Sequence, residues 1–196
     1  MAMSETPFCG CFVGAPSPSV VVRHGASLHV YPGIAPPAGV IDLHRRIAGV
    51  IGMAPLPLAW LAHAGGRGGF FRGDLVAVGE ADVRALAGAV LGGRAPASAL
   101  AGEAYGAVVR VLLAHEVGHA LQARLRLAPL GEGSEREADL TAGWIAESLG
   151  WPEADDVLVM AAAGSRAATT HPSSRARVAA YREGRRRRRA RTAQLG

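Results

Sequence analysis

One long apolar segment constrains the fold of this 196-residue chain more than any other feature. Residues 103–127 show the periodicity of a helix, but their apolar side chains surround most of its circumference instead of forming one stripe. A helix that is apolar nearly all round is stable only when it is buried on all sides. The sequence therefore predicts a buried central helix around which the rest of the chain packs.

The segment before this helix predicts shorter elements. Apolar residues recur at helical spacing in residues 40–52 and 82–91, whereas residues 57–63 and 70–78 are typical of strands and flank the glycine-rich turn at residues 65–69. We therefore expect an α+β fold, a single domain with a small β-sheet beside the buried helix.

A second long helix is predicted after the central one. Ser134 and Glu137 have the spacing of a capping box, in which each side chain accepts a hydrogen bond from the backbone N–H of the other residue. Further helices are predicted at residues 153–163 and 172–183, and Gly184 should end the last of them.

The N-terminal arm, residues 1–39, holds six of the 12 prolines, which disfavours helix there. Residues 20–23 and 28–31 are expected to pair as a short hairpin. Cys9 and Cys11 are the only cysteines, which is too few for a disulfide framework.

Positive charge is concentrated at the C-terminus. The chain has a net charge of +5, and all 21 of its basic residues are arginines. Residues 182–191 alone carry +6, so the remainder of the chain sums to −1 and is nearly neutral. We expect residues 185–196 to form a disordered tail that binds nucleic acid or anionic surfaces non-specifically, next to a folded domain at residues 40–184.

Neither a signal sequence nor a membrane span is predicted. The N-terminal residues lack a continuous apolar core of signal-peptide length, and prolines or charges interrupt the most apolar windows. Two cysteines are also too few to indicate an oxidising compartment. We expect a cytoplasmic protein.

The central helix contains the sequence His-Glu-Val-Gly-His at residues 115–119, which matches the H-E-x-x-H pattern. Imidazoles at i and i+4 lie one turn apart on one helix face, so His115 and His119 are placed to bind one zinc ion. Glu116 would hold a water beside the metal and act as its general base. Two histidines and a glutamate in a buried helix would otherwise be costly, because buried ionisable groups need partners. The motif therefore indicates a zinc-dependent hydrolase.

A catalytic zinc needs a third protein ligand and one open coordination position. The candidates are Glu132, Glu135, Glu137 and Asp139, and the capping box gives Glu137 another role. Glu135 and Asp139 are four residues apart and share one helix face. We predict Glu135 as the ligand and Asp139 as its companion, which accepts the free ring N–H of a ligand histidine. A solvated pair of surface carboxylates is the alternative.

These motifs resemble those of the gluzincin metallopeptidases. H-E-x-x-H is followed by E-x-x-x-D, which here runs from Glu135 to Asp139 as E-R-E-A-D. Residues Thr170-His171-Pro172, followed by Arg177, resemble the T-H-P-x-x-x-x-R segment of the HtpX, BepA and CAAX-prenyl-protease branch. The order of the predicted elements also resembles the compact core of that branch, the minigluzincin.

The resemblance covers about residues 40–184 and implies a zincin-like domain with a small sheet, a buried motif helix and a second helix that bears a ligand. It implies zinc on His115, His119 and Glu135, with Glu116 as the general base of peptide-bond hydrolysis. A peptide or protein is then the expected substrate. The membrane helices of HtpX and the CAAX proteases are not found in this sequence, which argues against a membrane substrate.

Two residues near the C-terminus have open roles. In the resembling branch a histidine at the position of His171 can approach the zinc, so His171 could make the enzyme latent or donate to an oxyanion. Alternatively, it only precedes a proline at a helix start. Arg177 is predicted either to pair with an acid such as Asp139 or to face solvent.

A substrate is expected to join the strand at residues 70–78 by β-addition.

Two other functions remain as alternatives. The chain could be a zinc-binding or regulatory protein without turnover, or a nucleic-acid-associated protein in which the arginine tail dominates. Because no aromatic residues interleave with the arginines and no base-reading motif accompanies them, we expect an accessory or incidental role for the tail before a dedicated nucleic-acid function.

Overall fold

A computed structural model describes residues 19–24, 27–66, 68–92, 98–126, 132–165 and 172–195, which form a mixture of helices and short strands. The six helices and five strands in these ranges are, in chain order, β1 (Val20–His24), β2 (Ser27–Tyr31), α1 (Val40–Val50), β3 (Leu58–Leu61), β4 (Gly69–Arg72), β5 (Leu75–Gly79), α2 (Glu80–Val90), α3 (Ser98–Arg124), α4 (Glu132–Ser148), α5 (Glu153–Ser165) and α6 (Ser174–Leu195). The strands form a two-stranded and a three-stranded sheet, so the predicted α+β class is confirmed.

Helix α3 is the buried centre of the fold. Its residues 111–118 are all buried, and α1, α2, α4, α5, β4 and β5 all contact it. Apolar side chains surround α3 because each of its faces meets another element. The predicted buried helix near residues 103–127 is therefore confirmed, although α3 begins earlier, at Ser98, and ends at Arg124.

The three-stranded sheet differs from the prediction in one segment. The single strand predicted at residues 70–78 is wrong, because β4 and β5 form an antiparallel hairpin that turns at Gly73 and Asp74. Gly73 has a φ of +64°, a left-handed conformation that glycine adopts at little cost. β5 is the middle strand and pairs in parallel with β3, whose other side contacts residues 32–34. β4 is consequently the sheet edge without a strand partner among the described residues.

The N-terminal hairpin and the short helices are present as predicted. β1 and β2 pair in antiparallel register, with Val20 opposite Tyr31, and Val20, Val22 and Tyr31 pack against the larger sheet. Helices α1, α2 and α5 lie within a few residues of their predicted bounds. None of the helices in the described ranges is long and apolar enough to cross a membrane.

Helix α6 corrects the prediction for the C-terminus. Gly184 does not end the last helix, and the predicted disordered tail at residues 185–196 is wrong for the described part, because α6 continues to Leu195. Gly184 is a packing residue, since a Cβ atom there would overlap the carbonyl oxygen of Leu140 on α4. Gly143 on α4 makes the same kind of contact with α6. The predicted domain boundary after residue 184 therefore falls inside a helix.

The capping box predicted at Ser134 is also wrong. Helix α4 already begins at Glu132, and the Ser134 hydroxyl donates to Gln122 Oε1 on α3 at 2.6 Å. The Glu137 carboxylate is exposed and accepts from Arg136. A contact between two helices thus replaces the local contact that the sequence pattern predicts.

Candidate metal centre

Helices α3 and α4 approach closely at the H-E-x-x-H motif. Gly118, the fourth residue of the motif, faces α4, and a Cβ atom on it would lie 3.0 Å from the Cα atom of Ala138. That distance is shorter than a normal van der Waals contact between carbon atoms, so glycine at position 118 allows the observed separation of the helices. The histidines of α3 consequently face the turns of α4 that carry Glu135 and Asp139.

Three side chains that can bind a metal converge between these helices. The Nε2 atoms of His115 and His119 lie 3.1 Å apart. The carboxylate of Glu135 places Oε2 3.2 Å from Nε2 of His115 and Oε1 3.4 Å from Nε2 of His119. We refer to His115, His119 and Glu135 as the donor cluster. Its ligand atoms all lie within 4.8 Å of one another.

The spacing within the donor cluster fits a tetrahedral metal ion. Two ligand atoms that each lie about 2.0–2.1 Å from zinc, at tetrahedral angles, are about 3.3–3.4 Å apart. The three observed distances of 3.1, 3.2 and 3.4 Å are close to that separation. Two imidazoles and a carboxylate are also ligands that zinc accepts. The side chains present therefore fit the ion that the sequence motif implies.

A buried ion pair supports one of these histidines from behind. Asp139 Oδ1 lies 2.8 Å from Nδ1 of His115, the ring nitrogen that faces away from the donor cluster. Arg177 on α6 donates to both oxygens of Asp139, at 2.7 and 2.9 Å. Asp139 is fully buried. The alternatives of a solvated Asp139 and a solvent-facing Arg177 are thus not what the structure contains.

Contacts within this group shift two pKa values in opposite directions. Burial lowers the pKa of His115, but the hydrogen bonds to Asp139 and Glu135 outweigh burial and raise it from 6.5 to about 9. Burial raises the pKa of Glu135, yet the contacts of its carboxylate with His115 and His119 hold that pKa well below the usual range. Glu135 is therefore an anion at neutral pH, which is the form that binds a metal.

Glu116 is buried beside the donor cluster. The residue is 4% exposed, and its Oε2 atom has no hydrogen-bond partner among the described residues. Burial raises the pKa of this carboxyl, against the opposing effect of the two motif histidines. The carboxylate also lies against β4, since a Cβ atom at Gly69 would be 3.2 Å from Glu116 Oε1. Because a buried oxygen without a partner is costly, this position favours a functional role for Glu116.

The sequence did not predict the contact of Ser134 with His119 or the contact of Gln122 with Ser134. Ser134 Oγ lies 3.3 Å from Nδ1 of His119. Gln122 is 8% exposed, and its Nε2 atom donates to the backbone carbonyl of Ser134 at 2.8 Å. The only signal in the sequence is that Gln122 lies three residues after His119 and therefore on the same helix face.

The other candidates lie away from the donor cluster or outside the described residues. His171, Cys9 and Cys11 are outside them, so the occluding role of His171 stays a prediction. The side chain of Glu132 is outside them as well. Glu137, the remaining candidate ligand, is exposed and pairs with its neighbour on α4.

No protein-family model, curated protein or solved structure matches this chain. The resemblance to gluzincins therefore depends on the short motifs, and the function has to be inferred from the geometry of the site.

Proposed function

We propose that this chain is a zinc-dependent metallopeptidase. The observation that carries the proposal is the convergence of His115, His119 and Glu135 beside a buried Glu116 whose Oε2 atom has no partner among the described residues. A purely structural zinc site has four protein ligands and needs no additional carboxylate. The described residues supply three ligands and a neighbouring acid, which is the arrangement that metal-assisted hydrolysis uses. This difference favours turnover over the alternative of a non-catalytic zinc protein.

Each residue of the site has a task in this proposal. His115, His119 and Glu135 would hold the ion. A bound zinc ion would supply Lewis-acid chemistry, because it polarises a scissile carbonyl and lowers the pKa of water. Glu116 would take a proton from the attacking water and later deliver it to the leaving amine. Burial raises the pKa of its carboxyl, which is the direction that makes the group a better proton acceptor.

Asp139 and Arg177 would act on the reaction only through His115. Asp139 would accept the Nδ1–H of His115 and so leave the lone pair of Nε2 directed at the donor cluster. Arg177 would hold both oxygens of Asp139 in place. These two are positioning residues and not catalytic ones.

The edge of the sheet favours an extended peptide as substrate. β4 is that edge, and its first residue, Gly69, lies against the Glu116 carboxylate. A peptide that added to β4 through backbone hydrogen bonds would pass directly beside the proposed base. Its scissile bond would then be held in a fixed orientation, which is a main source of rate enhancement.

The arginines of α6 do not favour the nucleic-acid alternative. Arg186 and Arg187 both pair with Glu183 on the same helix, and Arg189 pairs with Glu147 on α4. The carboxylates of Glu183 and Glu147 thus offset part of the positive charge of these three arginines. A cytoplasmic location remains a prediction from the scarcity of cysteine.

Substituting glutamine for Glu116 tests the proposed function. The purified wild-type chain should hold about one zinc ion and cleave peptides in a proteome-derived mixture analysed by mass spectrometry. Glu116→Gln should keep the zinc and lose cleavage by about 100-fold or more, because glutamine cannot accept the proton. Glu137→Gln, at an exposed acid of α4, is the matched control and should retain both properties. Equal cleavage by wild type and Glu116→Gln, or by zinc-free protein, would overturn the proposal.

A further inference from the structure

Gln122 and Ser134 form a closed pair of hydrogen bonds, and the chemistry of the partners fixes the direction of each bond. One end of the Gln122 amide lies 2.8 Å from the backbone carbonyl oxygen of Ser134. A carbonyl oxygen only accepts, so this end is the NH2 group. The other end is the amide oxygen, 2.6 Å from Ser134 Oγ. Because an amide oxygen cannot donate, the serine hydroxyl donates to it.

The direction of these bonds determines what His119 meets. A serine hydroxyl has one proton, and here Gln122 accepts it. Ser134 Oγ therefore presents a lone pair to Nδ1 of His119, 3.3 Å away. Such a contact is favourable only when Nδ1 carries the ring proton.

We propose that Ser134, held by Gln122, is a positioning residue for His119. It keeps the ring proton on Nδ1, so that Nε2, which lies 3.1 Å from Nε2 of His115, directs its lone pair into the donor cluster. The inference rests on the zinc site of the proposed function, because the lone pair matters when Nε2 binds a metal. It does not require that the chain hydrolyse peptides.

The two ligand histidines are thus oriented by different chemistry. His115 faces the charged carboxylate of Asp139, whereas His119 faces the neutral hydroxyl of Ser134. Gln122, which completes the neutral pair, is almost fully buried. The neutral pair orients the second ring without placing a further carboxylate in a site that already contains three. Extra negative charge would raise the cost of burying this group of side chains.

Three substitutions test the role of Ser134 through zinc affinity, measured by competition with a chelator. Ser134→Ala removes the acceptor and should weaken zinc binding by about 10-fold to 100-fold. Gln122→Met leaves the hydroxyl beside His119 but releases its proton for donation to Nδ1, so a loss in the same direction is expected. Ser134→Thr keeps a hydroxyl and should restore affinity to near the wild-type value.

A control and a second measurement separate positioning from a structural role. Thr141→Val is the matched control, because Thr141 donates its hydroxyl to the carbonyl of Glu137 within α4 and should leave zinc affinity unchanged. Nitrogen chemical shifts of His119 in the metal-free protein report the position of the ring proton. The wild type should show the Nδ1–H form, and Ser134→Ala should show a larger share of the Nε2–H form.

The proposal is wrong if Ser134→Ala binds zinc as tightly as the wild type and His119 still carries its ring proton on Nδ1. A wild type in which His119 carries its proton on Nε2 would overturn it too, and so would a wild type that binds no zinc. If Ser134→Ala does not fold, the same criteria apply to Gln122→Met. The proposed peptidase function can fail separately. If the wild type binds zinc but cleaves no peptide, and these variants bind zinc more weakly, the peptidase function is wrong and the positioning role of Ser134 stands.

Discussion

Two largely buried groups of polar and charged side chains lie at α3, and they differ in how their charges are balanced. The first is the donor cluster of His115, His119 and Glu135. We call the second, formed by Arg110, Asp156, Tyr181 and Arg185, the arginine–aspartate cluster. It joins α3 to α5 and α6, whereas the donor cluster joins α3 to α4.

The arginine–aspartate cluster contains its own counter-charges. Arg110 Nε donates to Asp156 Oδ1 at 2.8 Å, and the Tyr181 hydroxyl donates to the other oxygen of Asp156. Arg185 Nη1 lies 3.6 Å from the same carboxylate, and another nitrogen of Arg185 donates to the carbonyl of Trp151. A carboxylate that is completely buried is thus matched by cations and donors from two helices. Such a group can hold helices together without a ligand.

The donor cluster differs in the kind of atoms that face one another. The atoms that face one another are two imidazole nitrogens and a carboxylate, all of which can act as electron-pair donors. No arginine among the described residues contacts these donor atoms, and Arg177 instead pairs with Asp139 behind His115. The comparison teaches that burial of charge alone does not indicate function. What indicates function is a group whose facing atoms can all donate electron pairs to one external cation.

The largest expected effect is on folding, and it comes from the arginine–aspartate cluster. Arg110→Met leaves the Asp156 carboxylate buried without its closest cation and should lower the free energy of unfolding by about 3–5 kcal/mol. Zinc content should not change. Denaturant unfolding and metal analysis of the purified variant measure both.

Arg45→Met is the matched control for this substitution. Arg45 pairs with Asp42 at 2.9 Å, nearly the same distance as in the Arg110–Asp156 pair, but both side chains are exposed. Its loss should change stability by less than about 1 kcal/mol. If Arg110→Met lowered the free energy of unfolding no more than Arg45→Met does, or if it released zinc, the assignment of separate roles to the two clusters would be wrong.

A smaller effect is expected for the pH dependence of the metal-free protein. The pKa of His115 is raised from 6.5 to about 9, so the folded state keeps a proton that the unfolded chain releases. This contribution is fully present below pH 6.5 and is lost as the pH rises to about 9, which should reduce the free energy of unfolding by roughly 3 kcal/mol. Denaturant unfolding with a chelator present, at several pH values in this range, checks the direction.

Asp139→Asn provides the comparison for the pH experiment. The hydrogen bond from His115 to the Asp139 carboxylate is the largest contribution that raises the pKa, so the substitution should reduce the loss of stability between pH 6.5 and 9. A wild type whose stability is flat or rises across this range would show that the donor cluster does not retain a proton in the absence of metal.

The features that the sequence predicted correctly have a periodic or local signal. The buried position of α3 follows from apolar residues on all its faces. The histidines and the pair Glu135 and Asp139 are each four residues apart, and the structure brings the two pairs together between α3 and α4. Helical spacing was sufficient for this because each pair occupies one face of one helix.

The features that the sequence did not predict depend on contacts between elements. Gly184 resembles a helix end, but its role is to let α6 approach α4, which only the packed structure reveals. Ser134 has a capping-box pattern, but Gln122 on another helix accepts its hydroxyl proton. Gly73 turns the chain between β4 and β5, where the sequence predicts one strand over residues 70–78. In each case a tertiary contact or a backbone turn outweighs the local pattern.

X-ray absorption by the zinc-loaded wild-type protein tests the donor cluster most directly. We expect one zinc ion per chain, with nitrogen and oxygen ligands at about 2.0–2.1 Å that include two imidazoles. Glu135→Gln and His119→Ala should lose this signal under the same loading conditions. A sulfur shell at about 2.3 Å would place the zinc on Cys9 or Cys11 instead, and it would contradict the assignment of the donor cluster as the metal centre.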